Sequence, residues 1–239
     1  MKKAQLTVFL MMAIVLLAIA GITFYAAEIM QKRVFVRHVE ASSAKGLVEQ
    51  CLGLVADDAL LVIGRQGGYA ELSKTHFEPL KTNYLYDAGE DKAPDILTVQ
   101  QQLSDYIEAQ ISKCIGNFEL LQEMGITVEE KSQPKIEALI ADENVLFSIN
   151  YALEEKKGDM VTVPEFSPAI KAVRLKKIIE LARKIVESEQ KNNGLFDLDI
   201  DCELDITHFP VEKTLITIIT DNSFLIQDKP YRFVFAHRR

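Results

Sequence analysis

Five acids stand on alternate residues in Asp197-Leu198-Asp199-Ile200-Asp201-Cys202-Glu203-Leu204-Asp205. Clustered carboxylate oxygens bind hard cations such as calcium, and paired acids flanking a substrate can hydrolyse it. The calcium-loop pattern, however, needs Gly where Cys202 stands and a Glu further on. As backbone, the run reads as an amphipathic strand with Leu198, Ile200, Cys202 and Leu204 inward and the acids in water. No metal is assigned to it. The histidines His38, His76, His208 and His237 share no metal-ligand spacing, and neither a Gly-x-Ser-x-Gly elbow nor an H-E-x-x-H helix accompanies them. Gly64-Arg65-Gln66-Gly67-Gly68-Tyr69 is rich in glycine but follows a predicted helix, whereas a phosphate cradle opens one. The sequence therefore assigns no catalytic residue, cofactor or metal ligand.

Cys51, Cys114 and Cys202 fit neither a disulfide-dense scaffold nor a zinc site. Cys51 and Cys114 fall on the apolar stripes of two predicted helices. Outside the cytoplasm they can form a disulfide closing a loop of about 60 residues, worth on the order of 4 kcal/mol. The alternative is two buried thiols packing as small hydrophobes. With the bridge formed, Cys202 is the free thiol. Lys171, Arg174, Lys177 and Lys184 would suit anionic lipid, but Glu180 and Glu187 accompany them, so a solvated helix face is expected. The net charge of −8 and the absence of Trp argue against nucleic acid as a partner.

These residues need elements to hold them. Apolar residues recur at helical spacing from Val34 to Ile63, and Gly64, Gly67 and Gly68 stop the pattern. Residues 69–96, with Pro79, Gly89 and Pro94, read as a long loop. Thr98 with Gln101 gives a capping-box pattern for a second helix, striped by Leu103, Ile107, Ile111, Cys114, Phe118 and Leu121 and ended by Gly125. A period of two follows around Ile126–Val128, Ile136–Ile140 and Val145–Tyr151. Ser167-Pro168 starts a third helix closed by Asn192-Asn193-Gly194, and strand patterns recur around 198–206, 214–220 and 231–236. The expected class is α+β: an N-terminal transmembrane helix, two amphipathic helices, then an antiparallel sheet packed with one further helix.

The transmembrane expectation rests on Leu6 to Ala27, about 22 residues without a charge, bounded by Lys2 and Lys3 before and Glu28, Lys32 and Arg33 after. At about 1.5 Å per residue the run spans a hydrocarbon core. A cleaved secretion signal at Ala18-Ile19-Ala20 is the competing reading, though the run continues past it through Tyr25. The Lys and Arg count favours the following side as cytoplasmic, whereas the short basic start is that of an exported chain, and long domains cross largely regardless of charge. The second argument is preferred, with residues 28–239 outside.

Lys2-Lys3-Ala4-Gln5, with Thr7 and Phe9 opening the apolar run, resembles the N-termini of archaeal prepilin-like and other membrane-anchored surface proteins. That resemblance implies a processing site between Ala4 and Gln5, cut by a dedicated peptidase. The sequence departs from the pilin pattern at Phe9, where that pattern has an acid. The stretches CLGLVADDALLVIGRQGGY, QQLSDYIEAQISKCI and YRFVFAHRR are similar to uncharacterised archaeal single-pass membrane-anchored surface proteins. The expected organisation is a short cytoplasmic N-terminus (1–5), a transmembrane helix (6–27), a helical region (28–124) and an α+β domain (125–239). The expected function is a non-enzymatic structural or interaction role at the cell envelope. Its partners would be the bilayer through residues 6–27 and other envelope proteins or a second copy. A minor pilin-like subunit and a membrane-tethered hydrolase or cation-binding domain using residues 197–205 are the alternatives.

Overall fold

The computed structural model of the protein describes residues 41–192 and 203–238, within a unit that starts at Ala41. The expected N-terminus 1–5, the span 6–27 and the processing site Ala4–Gln5 lie outside the described residues.

Helix α1 (Ala44–Arg65) begins where the Ser43 side chain accepts the Gly46 N–H at 3.2 Å, an N-cap that satisfies one free donor of the first turn. Leu47, Cys51 and Val55 are buried, and so are Leu52, Ala56, Leu60 and Ile63, an arc far wider than the single stripe predicted. A helix covered on so much of its circumference is a central one. Within its last turn a Cβ at Gly64 would lie 2.5 Å from the carbonyl oxygen of Arg232, and the helix ends just before Gly67, which takes φ 69°, a left-handed conformation that costs glycine little.

Three short strands, β1 (His76–Phe77), β2 (Thr82–Asp87) and β3 (Glu90–Asp91), occupy the expected loop 69–96. Helix α2 (Ile96–Ile115) is capped by Asp95, whose Oδ1 accepts the Thr98 N–H at 2.7 Å, three residues before the predicted cap. It ends at Gly116 (φ 60°), well before Gly125, and a one-turn helix α3 (Glu119–Gln122) follows. Next come β4 (Thr127–Glu130), β5 (Lys135–Ile140), β6 (Val145–Asn150), β7 (Leu153–Lys157), β8 (Met160–Thr162) and β9 (Ala169–Lys171). Helix α4 (Leu175–Asn192), β10 (Asp205–Val211), β11 (Thr214–Ile226) and β12 (Lys229–Arg238) complete the order.

The expected class is corrected in two respects. Among the described residues no helix is long and apolar enough to cross a membrane. The strands form three sheets in place of one antiparallel sheet: β1-β2-β12-β11-β10 with β3 also on β2, then β4-β7-β8, then β5-β6-β9. The largest sheet is mixed, because β12 runs parallel to β2, with Ala236 opposite Tyr84 and Arg238 opposite Asp87. A parallel pair needs a long crossover, here about 150 residues, and no local period can announce such a partner. The third helix also starts later than predicted, since Ala169–Lys171 pairs with β6 as a strand.

Helix α1 packs on α2 and is joined to it by the Cys51–Cys114 disulfide, with Cα atoms 5.7 Å apart and a separation of 63 positions in sequence. Helix α2 has two adjacent stripes with different tasks. Val99, Leu103, Ile107, Ile111 and Ile115 are buried as apolar core. One residue further round, Gln100, Ser104 and Glu108 hold the free edge of β5: their side-chain oxygens accept the N–H groups of Ile140 (3.2 Å), Ala138 (3.0 Å) and Ile136 (2.9 Å). Four helical residues rise about 6 Å and two strand residues about 6.6 Å, so the two repeats stay in step over three contacts. An edge strand left open is a template for unwanted pairing, and this one is closed by side chains.

Two outcomes test this frame. Ser104→Ala orphans the buried Ala138 N–H and is expected to cost about 1–3 kcal/mol of unfolding free energy. Ser112→Ala, on an exposed position of the same helix, should stay within about 0.5 kcal/mol in the same urea titration. Replacing Cys51 and Cys114 together with Ala is expected to lower stability by about 3–4 kcal/mol. A loss under about 1 kcal/mol would mean that the reduced unfolded chain is already constrained.

Candidate functional site

Asn83 on β2 is 2% exposed, and its carboxamide organises the chain that follows α1. Its Nδ2 donates to the carbonyls of Gln66 (2.9 Å) and Glu71 (3.1 Å), while its Oδ1 accepts the Ser73 N–H at 2.7 Å. Gln102 on α2 accepts the Ala70 N–H at 3.0 Å, and the Tyr69 hydroxyl donates to the Lys92 carbonyl at 2.8 Å. Residues 69–73 are thereby held against β2 on one side and α2 on the other. Between them opens a cleft of about 920 Å³, lined by Tyr69, Asn83, Tyr84 and Tyr106. A concave site whose walls are fixed by hydrogen bonds does not have to be ordered by its ligand.

Its charges are mostly acidic. Glu71 and Asp105 line it and are exposed. Lys92 also lines it, but its ammonium is 3.0 Å from Asp87 and 3.4 Å from Glu90. Burial, then the charges of Asp91 and Asp95, raise the pKa of the Tyr69 hydroxyl. Burial, then a hydrogen bond to Asp58, raise that of Tyr106. Both hydroxyls are therefore protonated donors at neutral pH, in a region of negative potential.

Ser73 lines the cleft and His76 and Glu78 are hydrogen-bonded beside it, a grouping the sequence reading missed, because the polar stretch that holds them reads as a loop without a periodic signal. Their hydrogen bonds are not those of a nucleophile and its base. His76 Nδ1 is 2.8 Å from the Ser73 carbonyl oxygen, an acceptor, and Nε2 is 2.5 Å from the Glu78 carboxylate. The Ser73 hydroxyl donates to the Thr75 carbonyl instead. Neither ring nitrogen is placed to take a proton from Ser73. Hydrogen bonds from Lys81, then His76, hold the Glu78 carboxyl below its usual range.

The residues singled out by sequence fall as follows. Cys51 and Cys114 are bonded. Asp197, Asp199, Asp201 and Cys202 lie outside the described residues, as does His38. Glu203 pairs with Arg174 and Lys177, and Asp205 accepts a hydrogen bond from Asn222. Among the described residues no three His, Cys, Asp or Glu side chains are placed to hold a metal ion. Of the four expected basic residues, Arg174 is 5% exposed and turned inward. Its Nε and Nη2 form a two-pronged pair with Asp221 at 2.9 and 2.7 Å, and its guanidinium lies 5.4 Å from the Phe224 ring centre. Lys171 binds Asp57 of α1 at 2.7 Å. His208 and His237 both contact the Thr217 hydroxyl, at 3.0 and 2.9 Å, across the large sheet.

No protein family, no curated protein and no solved structure matches the chain.

Asp87, 5% exposed, ties the cleft to the end of β12. Burial raises its pKa, but hydrogen bonds from Lys92 (3.0 Å) and Arg238 (2.9 Å) outweigh burial and hold it below the usual aspartate range. Because the native pKa lies below the unfolded one, the stabilisation is complete above the unfolded value near 3.9 and is lost as pH falls through the native value. The difference in urea midpoint between the wild type and Asp87→Asn should thus be largest at neutral pH and shrink as pH falls below about 4. A difference that is constant across this range would contradict the assignment.

Proposed function

We propose that this chain is a membrane-anchored extracytoplasmic protein with a non-enzymatic interaction role at the cell envelope, its cleft serving to hold a partner. The observation that carries the proposal is the Cys51–Cys114 disulfide. Such bonds persist in oxidising compartments and are rare where glutathione and thioredoxin keep thiols reduced. The uncharged run from Leu6 to Ala27 behind Lys2 and Lys3 supports attachment to lipid on the same reading. The cleft supports binding over catalysis, because the hydroxyls of Tyr69 and Tyr106 are engaged in positioning hydrogen bonds and the serine at its rim lacks a base. The alternating acids 197–205 give the hydrolase reading little support, since Glu203 is committed to Arg174 and Lys177.

Lys3-Ala4-Gln5 favours a processed, pilin-like form of the same reading. Intact mass separates the forms, since a mature chain beginning at Gln5 lacks the first four residues.

The compartment is tested by lysing cells directly into denaturant with N-ethylmaleimide and weighing the chain before and after reduction. One adduct before reduction and three after are expected, from the three cysteines of the sequence. Three adducts before reduction would place the thiols in a reducing compartment and sink the proposal.

A further inference from the structure

The face of α2 that lines the cleft repeats at helical spacing: Gln102, Asp105, Tyr106, Ala109 and Gln110 stand three, four, seven and eight residues apart from its start. Eight residues at about 1.5 Å each separate the two glutamines by about 12 Å along the helix, the length of three to four residues of extended chain. Each glutamine uses its carbonyl oxygen within the protein, Gln102 on the Ala70 N–H and Gln110 on the Lys113 ammonium at 3.0 Å. Their amide NH₂ groups are left as donors, the chemistry that peptide carbonyls require. Midway between them stand Asp105 and the Tyr106 ring, with Glu71 and Tyr69 also lining the cleft. A carboxylate beside an aromatic ring is a site for a cationic side chain, through an ion pair and a cation–π contact.

The surrounding charges agree. The acids Asp58, Asp91 and Asp95 act on the two wall tyrosines, and Glu71 and Asp105 line the cleft itself. The nearby bases are Lys92, held by Asp87 and Glu90, and Arg65, whose charge reaches Tyr106. The loop wall cannot add a strand to a ligand through Ala70 or Ser73, because the N–H groups of both already bond to Gln102 and Asn83. Recognition falls to side chains.

We propose that the cleft between residues 69–73 and α2 binds a short extended peptide segment of a partner protein through a central arginine or lysine, whose cation meets Asp105 and Glu71. Gln102 and Gln110 hold the peptide backbone on either side of that residue. This deepens the interaction role proposed above by naming the class of partner, and it rests on that reading.

The test uses the full chain purified in a neutral detergent and fluorescence anisotropy of fluorescein-labelled Ala-Ala-Arg-Ala-Ala amide. The counterpart peptide carries citrulline, which keeps the shape of arginine and removes its charge. Binding of the arginine peptide at least tenfold tighter than the citrulline peptide is expected. The double variant Glu71→Gln/Asp105→Asn should weaken the arginine peptide at least tenfold. Glu137→Gln/Glu143→Gln, which removes the same charge from exposed positions elsewhere, should change it less than twofold. Equal binding of the two peptides, equal loss in the two double variants, or no binding at all would overturn the proposal. Each variant is first shown to retain the Cys51–Cys114 bridge and the wild-type urea midpoint. If a cleft pair shifts that midpoint, the single variant Asp105→Asn takes its place. Compartment and ligand fail separately, because the maleimide adduct count does not depend on peptide binding.

Discussion

The α1–α2 pair, fastened through Cys51 and Cys114, is the contact on which the other layers depend. The largest sheet reaches it through β12, where Tyr231 donates to the Leu60 carbonyl at 3.2 Å and Gly64 lets the strand backbone pass close to the helix. Strand β9 reaches it through Lys171 and Asp57. Strand β5 reaches it through the side-chain ladder of α2. Across the seam between the helices, Tyr106 of α2 donates to Asp58 of α1, so the wall of the cleft is part of the same joint. A covalent link here restrains the unfolded chain and fixes the spacing against which two of the three sheets are set.

Buried charge has a second organising role. Arg174 and Asp221 are both withdrawn from water, and removing one partner of such a pair typically costs about 3–5 kcal/mol, because the other charge is left uncompensated. The two-pronged geometry demands one orientation, which an apolar pair would not. Asp221 stands where the β11–β12 pairing breaks, between Asp221 and Leu225, so the irregularity turns a carboxylate inward to meet the residue that precedes α4. The chain thereby holds the start of α4 to the middle of the long hairpin with a directional contact.

Features governed by nearby residues were legible in the sequence. The inner stripe of α2, the β5–β6 hairpin and the placement of both cysteines on facing helices follow from period and residue type. What could not be read depends on partners far along the chain. Thr82-Asn83-Tyr84-Leu85-Tyr86-Asp87 carries five polar or amphipathic side chains among prolines and glycines and looks like a loop until β12 lies beside it. Arg174 looks like part of a basic surface, and only the carboxylate of Asp221, 47 residues on, turns it inward. The cleft was invisible for the same reason. It depends on Asn83 gripping the segment after α1, and an asparagine in a polar stretch gives no sign of what its amide will hold.

The parallel pairing of β2 with β12 sets a timetable for the molecule. Strand β2 pairs locally with β1 and β3, but its partner β12 exists only after about 150 further residues have been made, which at about 5–20 residues per second is roughly 8–30 s. Throughout that interval the largest sheet cannot close, and long-range pairing of this kind is entropically slow even when both strands are present. The topology that hides β2 from sequence reading thus also makes closure of the largest sheet one of the last events in the life of the nascent chain.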